Sequence, residues 1–405
     1  MAVNISKLPT MHSVKGFKLG TTKAEIRYPD RRDLVLMEIA PGAAVAATFT
    51  KNAFCAAPVT VAKKNLAKVE PRYLLVNTGN ANAGTGEQGL EIAKKCCDIV
   101  AEVSGANSSE VLPFSTGVIG EQLSIDRFER GIPQAYAALS DAGWDDAAHG
   151  IMTTDTVPKG ASEIIQISGK DVVITGISKG SGMIKPNMAT MLGYIATDAN
   201  IESPLLQQIL SAAVKRTFNR VTVDGDTSTN DALVLVATGQ SEAPQIKEDS
   251  EDLNVFSQAV ERVCMILAQA LVRDGEGATK FITIDVQNCK SEEEAEQVAF
   301  TIAHSPLVKT AFFASDPNWG RILATVGRSG IEDLDIGKVS LFIGETCLIR
   351  NGDPDPDYTE EAGQKEMDEV EITVTIDLQR GDDSAVVWTC DFSYDYVKIN
   401  AEYRS

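Results

Sequence analysis

With 405 residues, 43% of them hydrophobic and 23% charged, the chain has the composition of a folded globular protein and the length for two or three domains. Its net charge of -20 argues against gripping nucleic acid or an anionic membrane through the overall field, while leaving room for a local basic pocket. Seven scattered cysteines without a CxxC make neither a disulfide framework nor a zinc site, and three widely separated histidines argue against a His-based metal site or triad without excluding one; no signal-type apolar core is read near the start and no apolar run approaches membrane-spanning length. Together these make a reducing, cytoplasmic compartment the expectation.

Residues 17–62 alternate short strand-like runs with turns. Residues 33–40 predict a strand ending at the Pro41-Gly42 turn, with 45–50 as its return strand and a further β-branched run at 59–62. Residues 73–77 predict the next strand, which opens into a small-residue loop at 78–86 and an amphipathic helix over 88–103. That loop is either an anion site at a helix N-terminus or a tight crossover needing glycine and asparagine; it lacks the GK[ST] of a nucleotide P-loop. At 111–120, Thr116-Gly117 sits between apolar segments. Such a turn either ends a strand or presents N–H groups to a developing oxyanion.

Residues 123–139 predict a helix, and Trp144-Asp145-Asp146 a surface break. Thr153, Thr154, Asp155 and Thr156 set hydroxyl and carboxylate groups in a row. Strands at 164–167 and 171–177 then lead into a glycine-rich loop at 178–184, in which Lys179 is either solvated or a clamp for a carboxylate.

Chemistry concentrates in the stretch from Lys185 to Gly193, where Pro186-Asn187 makes a tight loop, Ala189 precedes Thr190, and residues 191–196 predict a buried strand. Locally, Thr190 is either an ordinary strand start or a nucleophile. If the Ala189–Thr190 bond is cut, the new α-amino group of Thr190, titrating near ~8, is a built-in base for its hydroxyl.

Beyond it, Ser203-Pro204 predicts a helix start with Ser203 as cap, the helix running over 205–218. Residues 220–223 and 231–238 predict paired antiparallel strands around Asp224-Gly225-Asp226. The residue order there does not match a calcium loop, and no metal site is assigned. A long helix over 254–272 precedes the Arg273 to Lys280 segment. After a change of composition, a strand at 281–286, a helix capped by Ser291 and running to His304, and strands at 339–343, 370–376 and 385–389 predict a smaller α+β domain. Its acidic stretch at 353–371 predicts a solvated loop, and its 315–321 loop is expected to reach a site in the first domain.

Together these stretches resemble the glutamate N-acetyltransferase/ornithine acetyltransferase family of arginine biosynthesis. The motifs are TFTKNAFCAAP at 48–58, NTGNANAG at 77–84, STGVIG at 115–120, MTTD at 152–155 and KGSGMIKPNMAT at 179–190. They continue with DGDTSTND at 224–231, RDGEGATK at 273–280, SDPNWGR at 315–321 and the C-terminal NAEYR at 400–404. The resemblance implies an α+β fold, with an αββα-layered, self-processing, N-terminal-nucleophile-like main domain over 1–280 and a smaller α+β domain over 281–405 whose tail returns to the active site. It implies self-cleavage between Ala189 and Thr190 into an α chain (1–189) and a β chain, associated as an α2β2 heterotetramer. The activity implied is ping-pong transfer of acetyl from N2-acetylornithine to glutamate. Thr190 is then the nucleophile, Thr116 and Gly117 the oxyanion hole, and Thr154, Lys179, Thr190, Glu276, Asn400 and Ser405 the substrate contacts. The family's usual C-terminal threonine is Ser405 here, which keeps the hydroxyl and the carboxylate. No cofactor is implied, with acetyl-CoA left open as a second donor. The alternative is a threonine-nucleophile aminopeptidase or amidase, which passes the acyl group to water.

Overall fold

Apolar alternation in the first two-thirds of the chain builds two sheets packed face to face. The computed structural model describes residues 2–5, 7–185 and 191–402. Contacts divide the chain into a larger unit, Ser6–Asn219 with Asp226–Leu271, and a smaller one, Met1–Ile5, Arg220–Gly225 and Val272–Ser405. This division falls at 271/272, whereas the sequence places the boundary at 280/281.

The larger unit runs β1 (Phe17–Thr22), β2 (Leu34–Ile39), β3 (Ala44–Phe49), α1 (Ala57–Leu66), β4 (Tyr73–Asn80), α2 (Gly86–Ser104), β5 (Val111–Val118), α3 (Ile125–Ala137) and α4 (Trp144–Gly150). It continues with β6 (Lys159–Ile167), β7 (Lys170–Lys179), β8 (Leu192–Thr197), α5 (Ser203–Arg216), β9 (Ala232–Ala237) and α6 (Glu251–Arg273), whose last two residues fall in the smaller unit. One sheet has the order β1-β2-β4-β5, the other β3-β9-β8-β7-β6. Successive residues of a strand face opposite sides, and the cores follow that rule. Val35, Met37, Leu74, Val76, Leu112 and Phe114 of the first sheet share a core with Val45, Ile177, Leu192, Tyr194, Val234 and Val236 of the second. Phe114 meets Tyr194 edge-on across the gap, ring centres 5.4 Å apart. The intervening residues Leu34, Leu36, Tyr73, Leu75 and Val111 face outward onto Ala93, Cys97 and Val100 of α2 and Phe128 and Ile132 of α3. On the far side, the Ala47 N–H of β3 donates to Gln207 of α5 (3.1 Å), and Leu267 of α6 lies over Gly176 of β7. The result is the expected αββα layering.

In the smaller unit, β10 (Phe281–Cys289), α7 (Glu292–Ala303), α8 (Pro306–Phe313), α9 (Trp319–Gly327), β11 (Ser340–Ile343), β12 (Thr346–Arg350), β13 (Asp353–Pro354), α10 (Glu360–Met367), β14 (Glu371–Asp377), β15 (Asp383–Cys390) and α11 (Tyr394–Ala401) form one mixed sheet, ordered β13-β12-β11-β14-β10-β15, with helices packed on its core. Ser291 caps α7 by accepting the Glu294 N–H (3.2 Å), as its sequence predicts.

Several local expectations are corrected. The Pro41-Gly42 turn does not close a hairpin: β2 pairs with β1 and β4, whereas β3 pairs with β9, so the turn hands the chain from one sheet to the other. The β-branched run at 59–62 lies in α1, because Pro58 fits a helix's first turn and Val59 and Ala62 are buried three residues apart. Trp144 is no surface break; it starts α4, 1% exposed, stacked on Phe17 at 5.4 Å. Of residues 220–223, Arg220 ends a short helical turn (Phe218–Arg220) and Val221 makes one bridge, to Trp388, while β9 pairs with β3 and β8 instead. Ser203 lies inside the first turn of α5, with Glu202 at the cap position. The acidic 353–371 stretch contains α10, capped by Thr359. At 23 residues, α6 is long and apolar enough by composition to cross a membrane. It is instead a core helix: Phe256, Val260, Val263, Leu267 and Leu271 are buried, and its central Glu261 and Arg262 pair with Arg216 and Glu163.

Trp144 anchors α4 to β1, so Trp144→Ala is expected to cost about 3–5 kcal/mol through the cavity left behind, and Trp144→Phe clearly less. Urea unfolding of the two variants measures this; equal midpoints would show that the stack contributes nothing.

Candidate functional site

Thr190 and Ala189, with Ser405, lie outside the described residues, as do Pro186 and Asn187. The other candidate residues gather in two places, one in each unit.

In the larger unit, Thr116 and Gly117 close β5 beside Gly79 and Asn80 of β4, where the ladder is irregular. Gly117 has φ +133, and a Cβ there would stand 2.2 Å from the Gly79 carbonyl carbon, so only glycine fits. The last residue of β7, Lys179, is 8% exposed and donates from Nζ to Thr116 Oγ1 at 3.1 Å. This joins two motifs 63 residues apart. A hydroxyl that accepts from an ammonium keeps its own proton to donate, and is polarised for doing so.

Asp155 lies beneath them. Its Oδ1 accepts from Lys159 Nζ (2.6 Å) and from the Gly180 N–H (2.7 Å), and its Oδ2 accepts from the Thr153 N–H (2.9 Å). The Asp155 and Lys159 side chains are wholly shielded from solvent. Burial works to raise the carboxyl, but Lys159, then Lys179, then the hydrogen bonds outweigh it, and Asp155 sits well below the usual carboxylate range. Next to it, exposed Thr154 shares a 2.7 Å hydrogen bond with buried Ser181.

The chain leading into residue 186 is tied down from a third direction. Thr227 Oγ1 donates to the Lys185 carbonyl (3.2 Å), Asn52 Nδ2 to the Thr227 carbonyl (2.9 Å) and Asn230 Nδ2 to the Ala81 carbonyl (2.6 Å). The motifs at 48–58, 77–84 and 224–231 are thereby stitched together around it.

Asp231 is a residue that sequence reasoning missed. It is buried, its Oδ2 has no hydrogen-bond partner among the described residues, and the N–H of its neighbour Ala232 donates to the Met191 carbonyl at 3.0 Å. Burial pushes its carboxyl well above the ordinary range, and Ser228, Lys179, Thr50 and the Met191 backbone only partly oppose that. No spacing in the sequence signals it, because its burial comes from the elements packed around it.

In the smaller unit, Glu276 is 7% exposed and accepts from Asn400 Nδ2 of α11 at 2.9 Å, pairing residues 124 positions apart. The turn that carries it is pressed on α11: Gly277 has φ +69, a Cβ there would lie 2.5 Å from the Tyr396 nitrogen, and Ser393 Oγ donates to the Gly277 carbonyl (2.6 Å). Asp391 accepts the N–H groups of Thr279 and Lys280, both at 2.8 Å, and fixes the far end of the turn.

The two buried aspartates act oppositely on stability. Asp155 has a lowered folded value, so its contribution is complete above about pH 4 and is lost as pH falls below that. Asp231 has a raised folded value, so ionisation is withheld by folding and stability drops as pH climbs from about 4. In urea unfolding at pH 7, Asp155→Asn is expected to lose about 3–5 kcal/mol by orphaning a buried partner, while Asp231→Asn gains stability. At pH 3.5 the Asp231→Asn gain should vanish; a gain independent of pH would contradict the assignment.

The family model described as ArgJ family matches residues 18–405. The Pseudomonas fluorescens (strain Pf0-1) arginine biosynthesis bifunctional protein ArgJ is 53% identical over 406 residues, covering 100% of both chains. The protein of that name from Methylococcus capsulatus is 57% identical over 392 residues, covering 97% of this chain and 96% of its own. A solved structure of arginine biosynthesis bifunctional protein argJ from Bacillus halodurans is 39% identical with a TM-score of 0.50, covering 51% of this chain and 97% of that one.

Proposed function

This chain belongs to the ArgJ family and is an acetyltransferase of arginine biosynthesis, and from that premise we propose that it carries an acetyl group from N2-acetylornithine to glutamate on Thr190, after cutting itself at Ala189–Thr190. The observation that carries this reading is the Lys179–Thr116 hydrogen bond. It sets a hydroxyl polarised by an ammonium beside Gly117, within the unit that contains the residues flanking 189 and 190.

In the proposed cycle the Thr190 hydroxyl, its proton taken by the Thr190 amine, attacks the acetyl carbonyl of N2-acetylornithine. The tetrahedral oxygen is held by Thr116 and Gly117. The C–N bond breaks, the proton passes to the departing amine, and ornithine leaves an acetyl ester on Thr190. The amine of glutamate attacks that ester and restores the hydroxyl. Charge-assisted contacts from Lys179 to a substrate carboxylate, and from Glu276 to the ornithine ammonium, account for the choice of amino-acid substrates. Thr154, Asn400 and Ser405 complete the proposed contacts.

Self-cleavage uses the same hydroxyl on the Ala189 carbonyl, followed by water. It is supported by the Bacillus halodurans chain, nearly all of which corresponds to half of this one. We assign the cut chains to an α2β2 assembly. Acetyl-CoA is the candidate for the second activity that the relatives' name, bifunctional, implies for them. No cofactor is required by the cycle. The seven free cysteines support a reducing, cytoplasmic setting.

Intact-mass measurement of the purified chain is expected to give two fragments meeting at Ala189/Thr190. Thr190→Ala should stay whole and inactive; acetyl transfer by that variant would require another nucleophile. Thr116→Ala is expected to lower kcat by about 10²-fold. Incubation with N2-acetylornithine and labelled glutamate, with and without acetyl-CoA, separates one donor from two. Release of free acetate in place of acetylglutamate would favour the amidase reading.

A further inference from the structure

Asp155 is not among the residues assigned to substrate, nucleophile or oxyanion above, yet both segments that carry the larger unit's substrate contacts close on it. Through Oδ2 it holds the Thr153 amide at 2.9 Å, which fixes the turn bearing Thr154. Through Oδ1 it holds the Gly180 amide at 2.7 Å, which fixes the backbone immediately after Lys179. The same oxygen takes the Lys159 ammonium at 2.6 Å, at the root of β6. β6 and β7 are paired so that Lys159 stands opposite Ser178, one residue before Lys179. The Thr154–Ser181 hydroxyl bond then joins the two segments a second time, 2.7 Å long.

We propose that Asp155 is a positioning residue, a buried carboxylate clamp that fixes Thr154, Lys179 and the 180–185 approach to the cleavage bond as one rigid unit. The proposal rests on the site reading above and deepens it. Three donors converge on one carboxylate from a turn, a strand and a loop. Aspartate is the shortest side chain that offers two acceptor oxygens together with a full charge. Lys159, wholly enclosed, supplies the counter-charge that keeps Asp155 ionised without solvent. With the clamp open, Lys179 would lose its fixed direction toward Thr116, and the 180–185 approach would keep its tie to Thr227 at Lys185 but lose the one at Gly180. Loss of position, more than loss of fold, should then appear in the chemistry.

The test separates these. Asp155→Asn alone strands the Lys159 charge and is open to simple misfolding. The double variant Asp155→Asn with Lys159→Met removes both charges and keeps the volume filled. The wild type and the double variant are compared by thermal unfolding, by the time course of fragment appearance in intact mass, by KM and kcat for N2-acetylornithine, and by hydrogen exchange of the peptide spanning residues 180–185. The expected result is a folded double variant that cuts at least tenfold more slowly, has KM raised at least tenfold, and exchanges the 180–185 amides at least tenfold faster. A folded double variant within twofold of wild type in cutting, KM and exchange would overturn the clamp and leave the pair a structural ion pair only. If the wild type itself is never cut and transfers no acetyl, the site reading fails instead, whatever the exchange of residues 180–185.

Discussion

The larger unit depends on neutralising buried charge. Lys159 and Lys179 are drawn out of solvent at the edge of the inter-sheet core, and an ammonium in that position is tolerable only beside an acceptor. Asp155 is that acceptor for Lys159 and Thr116 Oγ1 accepts from Lys179, and three hydrogen bonds satisfy Asp155 almost completely. β6 pairs with β7 so that Lys159 stands opposite Ser178, one residue before Lys179, and the Gly180 amide that follows Lys179 turns inward to the same carboxylate. The geometry that presents Lys179 to Thr116 thus follows from electrostatics within the scaffold and needs no bound substrate to hold it.

The sheets supply the second constraint. Alternation along β2, β4 and β5 sends every second side chain to the inter-sheet core and the rest to α2 and α3. Strand ends are then the only places where polar groups can gather without being buried in apolar surroundings. Thr116 and Gly117 end β5, Lys179 ends β7, and Met191 immediately precedes β8. The close approach of Gly117 to Gly79 brings the β4 and β5 ends together more tightly than side chains would allow, which is why each strand carries a glycine one residue before its end.

How much of this was legible in the sequence varied with the kind of signal. Strand cores and long amphipathic helices were, because period and length carry them. The Thr116-Gly117 turn and Lys179 were visible as chemistry-bearing residues in small-residue company, but local pattern left each with two readings. Pro41-Gly42 announced a reversal without saying that the chain changes sheets, since turn chemistry fixes direction and not the next partner. Val59, Thr60 and Val61 favoured a strand by propensity, and packing of Val59 and Ala62 overrode it. Trp144 beside two aspartates read as surface, although acidic residues are also what a helix first turn prefers. Asp155 and Asp231 were illegible for a different reason: the burial of a carboxylate is a property of the surroundings, which no spacing records. The Glu276–Asn400 pair was available only through family resemblance, because a contact across 124 residues leaves no local trace.

Their surroundings drive the two buried aspartates in opposite directions. Asp155 is held ionised by its partners, whereas Asp231, with one oxygen unpartnered among the described residues, is driven toward the neutral acid. Lys159 and Lys179 both act to hold the Asp155 carboxyl low, and the Lys179 ammonium also donates to Thr116. An ammonium held out of solvent acts on a nearby anion more strongly than the same charge on the surface, where salt screens it. The acidity of the protein as a whole, with its net charge of -20, is therefore compatible with a buried ammonium presented at the end of β7, because the local field is set by the groups packed around Lys179 and not by the sum over the chain.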